Sequence, residues 1–222
     1  MIPEEIPVMI PAGNVRLEGD MVLPRQTEIM VLFAHGSGSS RHSPRNRYVA
    51  GVLQNAGLGT LLFDLLTAEE GLEDERSRAL RFDIRLLGQR LIQASEWLKN
   101  NPATLQYSLG YFGASTGSAA ALIAAARLPE YTSAVVSRGG RPDMAGDALA
   151  RVNAPTLLIV GGNDDQVIQI NQQALALLKT EKKLVIVPGA THLFEEPGTL
   201  EQVAGLASDW FIGHPPARAA RI

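Results

Sequence analysis

The feature of this sequence that most constrains its fold is a series of short, unbroken apolar runs. The clearest is Ile29–Ala34 (IMVLFA), and the others are Leu58–Phe63, Tyr107–Phe112, Ala134–Val136, Thr156–Val160 and Leu184–Val187. A strand that is apolar on both sides must be covered on both sides, so such runs are typical of a parallel sheet between two layers of helices. Val15–Leu23 alternates in part and ends at Pro24, which predicts an early antiparallel strand.

Helical patterns fill the gaps between these runs. The predicted helices are Pro44–Asn55, Arg81–Lys99, Thr116–Leu128, Ile170–Leu178 and Leu200–Phe211. Alternation of strands and helices predicts the α/β class, here as a single domain of residues 1–213. Residues 214–222 hold two prolines, two arginines and little to bury, which predicts a disordered tail. For the mixed charges of Glu69–Arg78 we expect a solvated loop or the start of a helix, with a mobile flap as the alternative.

Composition disfavours several classes of protein. The chain carries 20 Lys and Arg against 23 Asp and Glu, for a net charge of -3, so nucleic acid is not an expected partner. Its most apolar stretch, Ala119–Ala126, is too short for a bilayer, and the acidic start (MIPEE) does not resemble a secretory signal. The absence of cysteine excludes disulfides, thiolate metal sites and a cysteine nucleophile. We therefore expect a cytoplasmic protein without a membrane partner.

A candidate nucleophile lies where an apolar run meets a predicted helix. The segment Tyr111–Gly117 (YFGASTG) contains the pattern Gly113-x-Ser115-x-Gly117, which matches the nucleophile elbow. A serine on such a strained turn needs small neighbours, and the helix N-terminus behind it stabilises a developing oxyanion. The alternative is a serine that only caps the helix.

A base and an acid follow in a suitable order. His192 lies on a loop after the run Leu184–Val187, whereas the other three histidines are less well placed. Asp164 and Asp165 follow the run Thr156–Val160, and either carboxylate could orient the imidazole while the other caps a helix. The alternative for His192 is a purely structural loop residue.

A glycine-rich loop supplies the remaining part of such a site. His35-Gly36-Ser37-Gly38 follows the run Ile29–Ala34, and we expect the N–H groups of Ser37 and Thr116 to form an oxyanion hole. His35 is expected mainly to hold the loop in shape. A phosphate-binding loop is the competing interpretation, but the Gly-Lys-Ser/Thr ending is missing.

Arginines near these segments are candidate substrate-binding residues. Arg138 and Arg141 follow the run Ala134–Val136, and Arg41 follows the glycine-rich loop. Guanidinium groups there could bind a substrate carboxylate or phosphate, or could simply pair with surface acids. We count Arg41, Arg138 and Arg141, together with His35 and Gly36, as candidate substrate contacts.

Together these motifs resemble the α/β-hydrolase superfamily, and within it the small, lidless dienelactone hydrolase-like group. The resemblance runs from about Val15 to Phe211 and also rests on GGNDDQV at Gly161 and PGATHLF at Pro188. It implies a mostly parallel sheet of about eight strands, with the second strand antiparallel and helices on both faces. It favours Asp164 as the acid, because Val167 completes an Asp-x-x-Val pattern.

Two further expectations follow from this resemblance. Only about twenty residues separate Val136 from Thr156, where many hydrolases insert a lid, so no cap domain is expected. The dienelactone hydrolases proper use cysteine where this chain has Ser115, which favours a general serine esterase.

The predicted function is therefore hydrolysis of small or medium carboxylic esters by Ser115, Asp164 and His192 through an acyl-enzyme, without cofactor or metal. The expected partner is a small-molecule ester, and the expected assembly is a monomer or homodimer. The alternatives are dienelactone hydrolase-like, thioesterase, amidase or acyltransferase activity, a non-catalytic protein with this fold, or a phosphate-ester or nucleotide binder.

Overall fold

The computed structural model describes residues 4–216, which form one eight-stranded sheet with helices on both faces. The strands are β1 (Ile6–Ala12), β2 (Val15–Val22), β3 (Ile29–Ala34), β4 (Gly59–Phe63), β5 (Ser108–Ala114), β6 (Thr132–Arg138), β7 (Thr156–Gly161) and β8 (Lys182–Val187). The α-helices are α1 (Pro44–Asn55), α2 (Ala68–Ser77), α3 (Ile84–Asn100), α4 (Gly117–Arg127), α5 (Asp165–Leu177) and α6 (Thr199–Gly213). Two 3₁₀ segments lie at Leu80–Phe82 and Pro142–Arg151.

The sheet is mostly parallel, as predicted. Its order is β1-β2-β4-β3-β5-β6-β7-β8, and β2 runs antiparallel to both of its neighbours while β3 to β8 are parallel. The expected antiparallel second strand is therefore confirmed. Because parallel strands end at the same edge, the segments that follow β3, β5, β6, β7 and β8 all emerge on one side of the molecule.

Two apolar layers cover the sheet. Helices α1 and α6 cover one face, where residues such as Phe33 and Phe112 are buried, with their ring centroids 5.0 Å apart. Helices α3, α4 and α5 cover the other face, with Leu91 and Leu158 among the buried side chains. Strands β3 to β7 have almost no exposed side chain, and this is the physical reason for their unbroken apolar sequences.

Several helix starts differ from the sequence-based expectation. Helix α3 begins at Ile84, because the Asp83 side chain accepts a hydrogen bond from the Leu86 N–H (2.9 Å) and ends the preceding 3₁₀ turn. Helix α5 begins at Asp165, five residues before the predicted start at Ile170, since its first turns already bury Val167.

β1 has no counterpart among the predicted strands, whereas α2 corresponds to the helical alternative for its charged run. β1 contains Pro7 and Pro11, both exposed on a strand at the edge of the sheet, where the missing N–H groups cost little. The charged run Glu69–Arg78 forms most of α2, which begins with a capping box between Thr67 and Glu70. Local capping, rather than an apolar face, defines this helix, since Asp74 is the one residue of α2 that is buried.

No cap domain interrupts the described fold, as expected. The segment between β6 and β7 is occupied by the 3₁₀ segment Pro142–Arg151, which packs against α4 and α5. Within residues 4–216, no helix combines the length and apolar character needed to cross a membrane.

The chain end partly departs from the predicted disordered tail. The His214 ring packs against Trp210, with 4.2 Å between ring centroids, and its Nδ1 lies 2.7 Å from the Trp210 carbonyl oxygen. The packed domain therefore extends through His214. Residues 217–222, the remainder of the predicted tail, lie outside the described residues.

Candidate active site

Ser115 occupies a strained turn between β5 and α4. Its φ is 50°, in the left-handed region that non-glycine residues seldom adopt. The turn is possible because its neighbours are glycines: a Cβ on Gly113 would lie 2.4 Å from the Ser118 Cα, and a Cβ on Gly117 would lie 2.1 Å from the Ala34 carbonyl oxygen. The Gly-x-Ser-x-Gly pattern thus reflects a close approach of β3, β5 and α4, and it presents Ser115 at the edge of the sheet.

Ser115, His192 and Asp164 form one chain of polar contacts. The His192 Nδ1 lies 2.7 Å from Asp164 Oδ2, and the His192 Nε2 lies 3.4 Å from Ser115 Oγ. Because a carboxylate can only accept, the Nδ1–H donates to Asp164 and the Nε2 lone pair faces the hydroxyl. The arrangement can accept a proton from Ser115 and stabilise the resulting imidazolium.

The two adjacent aspartates have different surroundings. Asp164 stands at the N-cap of α5 but makes no side-chain capping hydrogen bond, because its carboxylate is turned to His192. Asp165 is the exposed first residue of α5. The structure therefore brings Asp164, rather than Asp165, to the imidazole.

Hydrogen bonds within its own loop hold His192 in place. Thr191 donates to Glu196 through its backbone N–H (3.1 Å) and its hydroxyl (2.6 Å), which closes the loop around His192. The Asn163 N–H donates to the Ala190 carbonyl (2.9 Å), which ties this loop to the one that carries Asp164. Base and acid are thereby fixed to each other by backbone as well as side-chain contacts.

Ser37 and Thr116, the predicted oxyanion-hole residues, are in direct contact. The Ser37 hydroxyl donates to the Arg81 carbonyl (3.1 Å), so the hydroxyl of Thr116 donates to Ser37 Oγ (2.9 Å). Within the described part of the chain, neither backbone N–H has an acceptor. Two N–H groups without a described acceptor, one of them at the start of α4, are therefore available to a developing negative charge.

His35 and Gly36 shape the oxyanion loop. The buried His35 ring accepts a hydrogen bond from the Leu65 N–H at Nε2 (3.0 Å), so its Nδ1–H donates to the Gly36 carbonyl (3.0 Å). Burial lowers the pKa of His35. A Cβ on Gly36 would lie 3.2 Å from both the Ala114 carbonyl oxygen and Ser115 Cβ, so the loop lies directly against the elbow.

Sequence reasoning missed the part that Arg81 plays in this loop. Besides the contact of its carbonyl with Ser37, its guanidinium is held by the buried Asp74 (Nε to Oδ2, 2.5 Å) and lies beside Gly38. Ser37 and Arg81 are 44 residues apart in the sequence, so no local sequence pattern could predict their hydrogen bond.

The three candidate arginines have different surroundings. Arg41 is bound by Asp64 and by Glu18, the latter at 2.6 Å. Arg141 forms a two-pronged ion pair with Asp143 (2.9 and 2.7 Å). Arg138 is buried beside the elbow and has no such carboxylate among the described residues. Of the three, Arg138 alone offers a guanidinium that no acid occupies.

An open cavity of about 1240 Å³ borders the oxyanion loop. Its walls come mainly from residues 35–44, from α2 and from Met9 of β1 and the first half of β2, and they do not include Ser115, Asp164 or His192. Across the described part of the chain, no three His, Cys, Asp or Glu side chains converge in a way that could hold a metal ion.

Comparison with known protein families confirms the resemblance to the dienelactone hydrolase group that the motifs indicate. The sequence pattern of the dienelactone hydrolase family matches residues 53–210, a segment that contains Ser115, Asp164 and His192. This chain belongs to the dienelactone hydrolase family. It is 60% identical to a dienelactone hydrolase from Anabaena variabilis of known crystal structure, with a TM-score of 0.95 over 97% of this chain and 100% of that one.

The chain is also similar to a curated protein in sequence and to a second solved structure in fold. The chain is 60% identical, over 93% of its length, to a Mycobacterium tuberculosis protein named putative phosphoribosyl transferase, but it spans only 46% of that curated relative. At 21% identity it shares its fold with a lidless α/β serine hydrolase from Xanthomonas campestris, with a TM-score of 0.76 over 96% of both chains. The chain thus has the α/β-hydrolase fold of this family, and its described residues, 4–216, hold no cap domain.

Gly117→Ala tests the close approach at the elbow. We expect a loss of about 1–3 kcal/mol in the free energy of unfolding, and a loss of activity, because the added methyl group meets the Ala34 carbonyl. The control is Gly205→Ala in α6, where a Cβ meets nothing within 4 Å and a gain of about 0.5–1 kcal/mol is expected. Chemical denaturation measures both, and equal stability of the two variants would contradict the described packing.

The buried His35 predicts a dependence of stability on pH. Since its pKa is lowered in the folded state, the unfolded chain binds a proton first as the pH falls below about 6.5. The free energy of unfolding should therefore decrease from pH 7 towards pH 5. His35→Gln keeps an acceptor for the Leu65 N–H but does not titrate, and denaturation curves at several pH values should show a shallower decrease. An unchanged slope in the variant would assign the pH dependence to other groups.

Proposed function

We propose that this hydrolase is a serine esterase of the carboxylesterase type, with Ser115 as nucleophile, His192 as general base and Asp164 as the orienting acid. The observation that carries the proposal is the continuous contact from Asp164 through His192 to Ser115, with distances of 2.7 and 3.4 Å. Membership of the dienelactone hydrolase family supports hydrolysis as the reaction class.

The reaction begins with attack of Ser115 Oγ on the ester carbonyl. The hydroxyl proton passes to His192 Nε2, and Asp164 stabilises the imidazolium through the hydrogen bond at Nδ1. As the tetrahedral intermediate collapses, the carbon–oxygen bond to the alcohol breaks and the imidazolium returns the proton to that oxygen. Water, deprotonated by His192, then attacks the acyl-enzyme and releases the acid and free Ser115.

The oxyanion of both tetrahedral intermediates is stabilised by the N–H groups of Ser37 and Thr116. Support for this assignment comes from their hydroxyl contact of 2.9 Å and from the lack of a described acceptor for either N–H. The tie from Ser37 to the Arg81 carbonyl keeps the loop in position before substrate binds, which is the preorganisation that makes such groups effective.

The open site favours esters with small or medium acyl groups. Between β6 and β7 the described chain holds no cap, so a long acyl chain would find little apolar wall to cover it. The substrate is therefore proposed to be an ester with a small or medium acyl group.

Ser115→Ala tests the nucleophile. We expect complete loss of covalent labelling by a fluorophosphonate probe and of hydrolysis across an ester series of graded acyl length. Ser77→Ala, an exposed serine at the end of α2, is the control and should label normally. Parallel assays with thioester substrates and competing nucleophiles separate esterase from thioesterase and acyltransferase activity. Covalent labelling of Ser115→Ala at the level of the unchanged protein would overturn the assignment of Ser115 as the nucleophile.

Asp164→Asn compared with Asp165→Asn tests the acid. Asparagine at 164 can donate to Nδ1 and so favours the wrong imidazole tautomer, which predicts a loss of about 10⁴-fold in kcat. The exposed Asp165 does not contact His192, so its variant should keep nearly all activity. Steady-state kinetics on one ester measures both, and a larger loss for Asp165→Asn would reverse the assignment.

A further inference from the structure

Asn171 is a fully buried amide in the middle of α5. Its Nδ2 donates to the Val167 carbonyl in the same helix (2.8 Å) and to the Gly140 carbonyl (3.0 Å), which lies 31 residues earlier in the chain. Its Oδ1 is sealed from solvent and has no partner among the described residues. A buried amide with an unsatisfied oxygen is costly, and the other buried residues of α5, Val167 and Ala174, are apolar. Packing alone therefore does not account for an asparagine at this position.

The segment that Asn171 binds, residues 138–141, contacts both backbone groups of Ser115. The Ser115 N–H donates to the Arg138 carbonyl (3.1 Å), and the Arg141 N–H donates to the Ser115 carbonyl (3.0 Å). A non-glycine residue with a φ of 50° keeps that conformation only when its surroundings impose it. Segment 138–141 therefore helps to hold Ser115 in its left-handed conformation.

The same segment lies against His192. A Cβ on Gly139 would lie 3.2 Å from the His192 carbonyl oxygen and 3.5 Å from its Nδ1. The Gly139 N–H donates to the Ile159 carbonyl in β7 (2.8 Å), which ties the segment to the sheet. Because one segment contacts both Ser115 and His192, its position affects how these two residues lie relative to each other.

Gly140 is the point at which this segment is joined to α5. No backbone N–H within residues 4–216 donates to the Gly140 carbonyl, so the Asn171 amide is its described donor. A Cβ on Gly140 would lie 2.0 Å from Ser137 Oγ and 2.3 Å from Ser118 Oγ, so the backbone here is packed closely against the end of β6 and the first turn of α4. The hydrogen bond from Asn171 thus reaches a part of the segment that lies directly beside the elbow.

Helix α5 also carries the candidate acid. Asp164 is the N-cap residue of α5, and its Oδ2 lies 2.7 Å from His192 Nδ1. Asn171 lies about two turns further along the same helix. Its amide therefore joins the helix that positions Asp164 to the segment that contacts Ser115 and His192.

We propose that Asn171 is a positioning residue for Ser115, His192 and Asp164, and that it acts through the Gly140 carbonyl. The inference rests on the proposed function, because it concerns the reactivity of Ser115. Without this hydrogen bond, segment 138–141 is free to move away from α5, and the contact of 3.4 Å between Ser115 Oγ and His192 Nε2 is no longer maintained. A displacement of about 1 Å from reactive geometry can lower a rate about 100-fold.

Asn171→Ser isolates the hydrogen bond to Gly140. A serine hydroxyl inside a helix can donate to the carbonyl one turn earlier, as Ser95 does to Leu91 in α3 (2.8 Å), so the contact with Val167 can be kept while Gly140 is out of reach. We expect the rate constant for labelling of Ser115 by a fluorophosphonate to fall about 10-fold or more. For a small ester, kcat should fall to a similar extent and KM should change less than about 3-fold, since Asn171 does not touch the substrate.

Thr104→Val is the matched control. Thr104 is buried in the segment before β5, at the edge of the sheet opposite Ser115, and its hydroxyl donates to the Leu98 carbonyl (2.7 Å). The variant removes a buried hydrogen bond to a carbonyl, so it should lower the melting temperature while the labelling rate and kcat stay unchanged. Circular dichroism at the assay temperature establishes that each variant is folded.

Asn171→Ala is the second test variant, because it also lacks the bond to Gly140 and adds no bulk. It should show the same loss of labelling rate as Asn171→Ser. Labelling rates equal to that of the unchanged protein in both variants would make Asn171 a purely structural residue and overturn the proposal. Unfolding of both variants under conditions in which Thr104→Val stays folded would do the same.

The two readouts separate this inference from the proposed function. Unchanged ester hydrolysis and labelling in the Asn171 variants would reject the positioning role and leave the esterase. Slower labelling of Ser115 in these variants, with no ester hydrolysed by any chain, would reject the esterase and leave the positioning role. Absence of labelling in the unchanged protein would reject both.

Discussion

The close approach of three backbone segments around Ser115 is the constraint on which the rest of the site depends. Gly117 lies against the carbonyl of Ala34, Gly36 lies against Ala114 and Ser115, and Gly113 lies against Ser118. A Cβ at Gly113 or Gly117 would overlap backbone atoms and push β3, β5 and α4 apart, and a Cβ at Gly36 would also crowd the elbow. Their contact holds Ser115 in a left-handed conformation and brings the glycine-rich loop beside the start of α4.

The remaining candidate groups reach Ser115 because the strands are parallel. Asp164 follows β7 and His192 follows β8, and both strands end at the same edge of the sheet as β5. The order of these groups along the chain reflects the order of the strands. The apolar layers on both faces of the sheet keep these strand ends fixed, and the contacts of 2.7 and 3.4 Å between the three side chains form in a chain that has no cysteine for a disulfide.

The arginines around the candidate site differ in whether they form ion pairs. Arg41, Arg81 and Arg141 each contact a carboxylate; the first two thereby join separate segments, whereas Arg141 pairs with Asp143 in its own segment. Arg138 meets none among the described residues, although it is buried and adjacent to Ser115.

The sequence alone determined the α/β class, the strands β3 to β8 and the Ser115, Asp164 and His192 candidates, because apolar runs, glycine spacing and position after a strand are local signals. It did not predict β1, whose prolines are tolerated only at a sheet edge. It left α2 open between a loop and a helix, because this helix depends on caps rather than on an apolar face. Which arginine is free was decided only by the tertiary structure, because ion pairs such as Arg41 with Asp64 join residues distant in the chain. An ion pair depends on the distance between two side chains in space, and the spacing of residues in the sequence does not give that distance.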